Sequence, residues 1–478
     1  MIRGSPAIKR LPKGLWPFGF ALLLGFLAAL WPGCQHQNPG WNSVEAILQR
    51  ITPPTFPART FVVTNFGAIG DGQTDCTAAL QAAIDACHAA GGGLVLVPEG
   101  SFLTGAIHLK SRVNLHLEKG ARMLFSRDPK KYLPVVYTRF EGVECMNYSP
   151  FIYAFGQEDV AVTGEGTLDG QADTTVWWPW CGNPKHGWFP GAPKQDLDRE
   201  QLFRMAEEGV PGEKRIFGEG HYLRPNFIQF YKCKRVLVEG VTIERSPMWV
   251  IHPVLCENVT VRGVRVVSHG PNNDGCNPES SRDVLITDCY FDTGDDCIAI
   301  KSGRNADGRR VGIPSENIVV RNCTMRDGHG GVVMGSETTG GCRNIFVEDC
   351  VMDSPNLERA LRIKTNSLRG GTVENVFMRN VQVGEVKEAV VHIFYHYGEG
   401  DVGFHTPVVR NIFLTNVSSK KSRYALFVKA YERSPVRNLR LEHCSFDGVQ
   451  SGNVLEHVQG LFFKDVTING VKVSPAGS

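Results

Sequence analysis

"SRDVLITDCYF" (Ser281–Phe291) and "SENIVVRNCTM" (Ser315–Met325) follow one pattern. Counting the first residue as zero, offsets 3 and 5 are apolar, offset 7 is Asp or Asn, and offset 8 is Cys. The same pattern runs through "CKRVLVEGVTI" from Cys233, "CENVTVRGVRV" from Cys256 and "CRNIFVEDCVM" from Cys342. It continues in "VENVFMRNVQV" from Val373, "VRNIFLTNVSS" from Val409, "VRNLRLEHCSF" from Val436 and "VQGLFFKDVTI" from Val458. Across the nine copies offset 7 is Asn, Asp, Gly or His, and offset 8 is Val or Cys. Apolar residues two apart describe a strand with one buried face. A small polar residue after them marks a sharp corner, because Asn, Asp and Gly accept the left-handed backbone region. Each copy therefore reads as strand, corner, strand.

Copies begin 22 to 36 residues apart, too irregular for propeller blades. The runs also lack the paired Asn-Gly turns of antiparallel hairpins. Stacked coils satisfy the pattern, each strand pairing about 4.8 Å from its counterpart in the coil before. The expected fold is all-β: a single-stranded right-handed parallel β-helix, forming one domain at 59–470. Cys289, Cys323, Cys350 and Cys444 take the place of Val at offset 8, so they read as reduced core residues rather than disulfide partners. No Cys or His spacing resembles a zinc site. "TDCTAALQAAIDACHAAGGG" reads as one capping helix over the first coil, started by Asp75 or Thr77 and ended by Gly91–Gly93. The repeat vanishes at about 173–225, a Trp-rich excursion (Trp177, Trp178, Trp180, Trp188) read as an insertion beside the coils.

Residues 1–33 combine a basic start (Arg3, Lys9, Arg10, Lys13) with an apolar run, the layout of an export signal. Pro32-Gly33-Cys34 resembles a bacterial lipoprotein site, so Cys34 is a candidate lipid anchor, and 34–58 reads as a linker. The protein is expected outside the cytoplasm, in the cell envelope or secreted, as a monomer. The formal net charge is +2, and the basic signal accounts for more than that excess. Such a balance gives no general reason to bind nucleic acid.

Chemistry concentrates where consecutive coils stack. From the copy starts, "DDCIAIKSG" (Asp295–Gly303) lies beside "HGGVVMGSE" (His329–Glu337), and "LRIKTNS" (Leu361–Ser367) comes next. Asp274 and, earlier, Trp249 and His252 fall on the preceding coils. Three carboxylates, an imidazole and two cations thus converge. Each alone has a bland reading, as a turn, a structural histidine or a solvated strand; their shared position in the coil argues otherwise. Paired carboxylates are the equipment of glycoside hydrolysis, and cations beside them suit a substrate carrying carboxylates.

At these residues the chain resembles the polygalacturonases of glycoside hydrolase family 28. The motifs Asn272-Asn273-Asp274, Gly294-Asp295-Asp296, Gly328-His329-Gly330 and Arg362-Ile363-Lys364 stand in the family order, with Asn273 in place of the commoner Thr. The resemblance implies inverting hydrolysis of α-1,4-galacturonosidic bonds in polygalacturonate, with no cofactor and no metal. It implies that Asp295 is the general acid, that Asp274 and Asp296 hold and activate water, and that His329 sets the acid's protonation. It assigns Arg362 and Lys364 to a galacturonate carboxylate, with Asn272 in support. Trp249 and His252 are read as further substrate contacts. The insertions match longer members and point to action at a chain end. Rival readings are a hydrolase of another pectic uronide such as rhamnogalacturonan, a calcium-dependent pectate lyase, and a polysaccharide-binding β-helix without catalysis.

Overall fold

The computed structural model describes residues 40–474. The expected export signal and Cys34 lie outside the described residues. Inside them the chain winds as a right-handed parallel β-helix, and all nine repeat copies are coils of it. The copy from Ser281, for example, forms strands Arg282–Thr287 and Tyr290–Thr293. These pair in parallel with Glu257–Arg262 and Arg265–Ser268 of the coil before, and with Ser315–Arg321 and Thr324–Met325 of the coil after. A third strand completes each coil. Ile298–Ile300, Val332–Gly335, Arg359–Lys364, Ala389–Phe394 and Tyr424–Lys429 pair in register along this third face.

The corner is left-handed in every copy. Offset 7 has φ between 51° and 77°, from Gly240 through Asp288, Asn322 and Asn416 to Asp465. A second left-handed residue stands at offset 2, which the pattern of apolar positions does not mark. It is Arg235, Asn258, Asp283, Asn317, Asn344, Asn375, Asn411, Asn438 and Gly460 in turn. A backbone held there costs an ordinary L-residue about 1 kcal/mol or more. The side chains also repay the placement by bonding to one another along the axis. Asn317 donates to Asp283 (3.1 Å), Asn344 to Asn317 (3.0 Å), Asn375 to Asn344 (3.1 Å), Asn411 to Asn375 (2.9 Å) and Asn438 to Asn411 (2.8 Å).

Offsets 3 and 5 fill the interior, from Val236 and Val238 to Leu439 and Leu441, all buried. Cys289, Cys323, Cys350 and Cys444 are buried and free. Each thiol donates to the carbonyl two residues before it, at 3.2 or 3.3 Å, which satisfies a backbone oxygen at the corner. Helix Thr77–Ala89 lies over the first coil with Leu80, Ala83, Ile84 and Cys87 inward. Asp75 accepts the Thr77 N–H (2.9 Å) and hydroxyl (2.5 Å), and Gly91 and Gly92 end the helix at positive φ.

Two departures from expectation matter. The expected linker at 34–58 is not a free tether over its described part: Asn42–Arg50 is a helix. Val44, Ile47 and Trp41 pack on an outward stack of Phe346, Phe377 and Phe413, whose rings lie 5.0 and 4.9 Å apart, and Arg50 pairs with Asp283 at 2.7 Å. Burying that apolar stack outweighs the freedom of a linker. Also, an antiparallel hairpin, Val136–Phe140 with Val143–Asn147, crosses the third face. The Trp-rich excursion folds beside the coils with its own helix, Asp196–Glu207.

Asn375 makes two ladder bonds in a left-handed backbone. Asn375→Ala is expected to lose about 2–3 kcal/mol, and Asn375→Gly, which removes only the bonds, measurably less. Denaturant titration of both variants checks this ordering; equal losses would mean that backbone conformation contributes nothing there.

Candidate active site

Backbone pairing sets the register of the acidic motifs. Val250 N–H donates to Asp274 O (2.9 Å), Gly275 N–H to Asp296 O (3.0 Å) and Cys297 N–H to Gly330 O (2.8 Å), so three successive coils present these segments together. His329 N–H donates to Asp295 O (3.0 Å), which places the imidazole against the carboxylate. The glycines make this approach possible. A Cβ on Gly328, at φ +156°, would sit 2.6 Å from Asp295 O, and one on Gly330 would meet Val333 at 2.5 Å. The chain bends at Gly294–Asp295, between strands Tyr290–Thr293 and Ile298–Ile300, which is what lets adjacent carboxylates serve one region.

Two cavities meet at Asp295 and Asn272. One, of about 610 Å³, is lined by Trp249, Asp274, Lys301, Glu337, Lys364 and Tyr397 among others. The other, of about 720 Å³, is lined by His329, His186, Lys185, Asn356 and Lys387 among others. The Trp-rich excursion therefore walls both: Arg199 faces the first, and Lys185 and His186 the second.

Each carboxylate has a distinct environment. Asp295 Oδ1 accepts from His329 Nδ1 and from the Asp296 N–H, both at 2.9 Å, and its Oδ2 has no protein partner among the described residues. This pairing holds the Asp295 carboxyl below the usual range against the opposing effect of burial. The same pairing lifts His329 to about 9. Asp274 is 2% exposed; its Oδ2 accepts from Asn277 Nδ2 (2.7 Å) and lies 3.4 Å from Lys301 Nζ, while Oδ1 is unpartnered among the described residues. Burial raises Asp274 well above the ordinary range, Asp295 and Asp296 raise it further, and Lys301 and Lys364 oppose them. Asp296 is fully buried, and both its oxygens are engaged, by Lys364 Nζ (2.7 Å) and Arg362 Nη1 (3.4 Å).

The structure thus brings together Asp274, Asp295, Asp296, His329, Arg362, Lys364 and Asn272. Asn272 accepts from Arg224 Nη2 at 2.6 Å, while Asn273 turns inward to accept from Ser268 and the Gly270 N–H. Trp249 lies beneath Lys301, whose Nζ is 4.4 Å from its ring. His252 does not join the site. It is fully buried, its Nε2 2.8 Å from Glu279 and its Nδ1 beside Asn226 and Gln229. The hairpin covers that coil, with Arg139 bonding Glu279 at 2.9 Å, so His252 belongs to a buried network and lines neither of these two cavities. Lys301 lies outside the four sequence motifs. It is buried between Asp274, Glu337 (3.2 Å) and the Gly335 carbonyl (3.1 Å). Strand alternation carries the signal, because Ile298 and Ile300 face inward and Lys301 therefore faces the cavity.

The chain resembles known proteins over most of its length. The family model "Glycosyl hydrolases family 28" matches residues 214–469, and a "Rhamnogalacturonase A/epimerase, pectate lyase-like" model matches 60–117. The chain is similar to a hyperthermoactive exopolygalacturonase from Thermotoga maritima of solved structure: 47% identity, 90% of this chain and 96% of that one covered, TM-score 0.88. It is 26% identical to an exo-poly-alpha-D-galacturonosidase of Dickeya chrysanthemi over 89% of this chain and 76% of that protein. A probable polygalacturonase of Vitis vinifera is 31% identical over 70% of this chain, and the match spans 62% of that protein's length. With its four motifs assembled on one β-helical groove, the chain belongs to glycosyl hydrolases family 28.

Proposed function

We propose that the protein hydrolyses α-1,4-galacturonosidic bonds of polygalacturonate with inversion, releasing units from a chain end. The observation that carries the reading is the junction of the two cavities at Asp295, with Asp274 across it. Two carboxyl groups, each with one oxygen free toward the same space, are the minimum for inverting hydrolysis. Asp295 presents its free Oδ2 to the leaving oxygen; its pair with His329 rests as carboxylate and imidazolium, so the proton passed to the leaving oxygen is the one His329 brings to the pair. Asp274 Oδ1 is the free oxygen of the base, positioned for a water on the opposite sugar face. Asp296 has no oxygen to spare; it fixes Lys364 and Arg362, which supply positive charge for a uronate carboxylate.

The first cavity supports chain-end action. Ion pairs tie its walls together: Glu141 to Arg199 (2.7 Å), and Arg304 to Glu399 (2.7 Å) and Glu337 (3.6 Å). These residues come from the hairpin turn, the excursion helix and three coil-connecting segments, and together they wall the first cavity. The second cavity, edged by Lys185 and Lys387, then takes the rest of the polyanion.

Asp295→Asn is expected to lower kcat by about 10³-fold or more, because it removes the carboxyl group that passes the pair's proton to the leaving oxygen, while leaving substrate binding. Wild-type enzyme in chelator is expected to release galacturonate or a short uniform product from de-esterified polygalacturonate, with no unsaturated ends. Mixed oligomers appearing first would contradict chain-end action, and ultraviolet-absorbing products would indicate elimination.

Lys301 stabilises the ionised form of Asp274, so the base is lost as pH falls through the raised Asp274 pKa. Lys301→Met removes that support and moves the acidic limb of kcat/KM upward by about one pH unit. An unmoved acidic limb would show that Asp274 is not the titrating base.

A further inference from the structure

The cations of the first cavity are not equivalent. Lys301 is held by Glu337 and Asp274, Lys364 by Asp296, and Arg199 by Glu141. The side chains of those four acids are 0–11% exposed, so none of the partners is easily exchanged. Arg369 differs, and so does one end of Arg304, whose Nη1 is also held by Glu141 (3.5 Å) and Glu337 (3.6 Å). The two arginines converge on Glu399, Arg304 Nη2 at 2.7 Å and Arg369 Nη2 at 3.3 Å, and the side chain of Glu399 is 36% exposed. Glu399 is outside regular secondary structure, in the turn that follows strand Ala389–Phe394, with Asn366 Nδ2 as its remaining donor (2.8 Å). Both arginines are themselves deeply buried, 6% and 2% exposed. The Nε of each has no partner among the described residues. Two buried guanidinium groups side by side repel, and a carboxylate between them relieves that repulsion.

We infer that Arg304 and Arg369 form the seat for the carboxylate of the terminal galacturonate, and that Glu399 occupies this seat until substrate displaces it. The inference rests on the chain-end reading and names the groups that make the cavity specific for a charged terminal sugar. Arginine suits the task because its planar fork matches a carboxylate in two parallel bonds, and because it stays charged when buried. A carboxylate arriving with the sugar meets donors already oriented by Asn305, which accepts from Arg369 Nη1 at 2.8 Å. Glu399 leaves toward solvent, so its desolvation is reversed as that of the substrate is incurred. A neutral or esterified terminal sugar cannot make this exchange and leaves Glu399 in place.

The test compares trigalacturonate with trigalacturonate methyl-esterified only at its non-reducing residue. Wild-type enzyme is expected to favour the acid by at least tenfold in kcat/KM. Arg369→Met is expected to raise KM for the acid by about tenfold or more, with a smaller change in kcat, and to abolish the preference, since uniform binding is what it removes. Glu399→Gln, which frees the seat, is expected to lower KM for the acid and leave the ester unchanged. The inference is overturned if Arg369→Met slows both substrates alike, or if Glu399→Gln raises KM for the acid, because the three residues would then be only a structural clasp. The chain-end reading fails separately, if wild-type enzyme cuts hexagalacturonate at internal bonds.

Discussion

The hydrogen bond from Gly275 N–H to Asp296 O, and its neighbour from His329 N–H to Asp295 O, are the constraints on which the site depends. They are ordinary parallel-sheet bonds. Their effect is to bring acids from residues 274 and 295–296 and an imidazole from 329 into one region, although each belongs to a different coil. A slip of one residue in either pairing would send alternate side chains to the opposite face. The left-handed residues at offsets 2 and 7 guard against that slip by fixing where each strand begins and ends. The asparagine ladder carries this guard from coil to coil. Stability and catalysis therefore rest on the same register.

Geometry alone would make a poor site, since carboxylates so close together resist ionisation. The protein answers with cations, each set against one acid: the exposed His329 against Asp295, and the buried Lys301 against Asp274 and Lys364 and Arg362 against Asp296. These assignments separate the roles of three identical side chains. Asp295 keeps a proton donor at its side, Asp274 keeps a free oxygen with a cation behind it, and Asp296 is saturated. Because Lys301, Lys364 and Arg362 are buried with their partners, removing one leaves an uncompensated buried charge, which is costly. That mutual dependence explains why Lys301 sits so deep, stacked on Trp249 and braced by Glu337.

The coils were legible in the sequence because a single short pattern encodes inner columns, corner and core thiols at fixed offsets. The four acidic and basic motifs were legible because coil stacking converts sequence spacing into proximity. Three features were not. The left-handed residue at offset 2 carries no apolar signature, and Arg235 there does not look like a corner residue. The hairpin at 136–147 belongs to no repeat, so its covering of His252 could not be foreseen from the coil alignment. The helix Asn42–Arg50 was read as a tether because its partner, the outward Phe346–Phe377–Phe413 stack, exists only once the coils are wound. Lys301 lies between these cases: strand alternation pointed it to the cavity, but the Asp274 contact needs the third face, which the two-strand repeat does not show.

The central claim is that Asp295 and Asp274 act from opposite sides of the scissile bond, with water between the sugar and Asp274. Proton NMR of the first product released, followed before mutarotation, tests it most directly. β-Galacturonate at the new reducing end appearing first is the predicted result; α-galacturonate appearing first would mean retention and contradict the account.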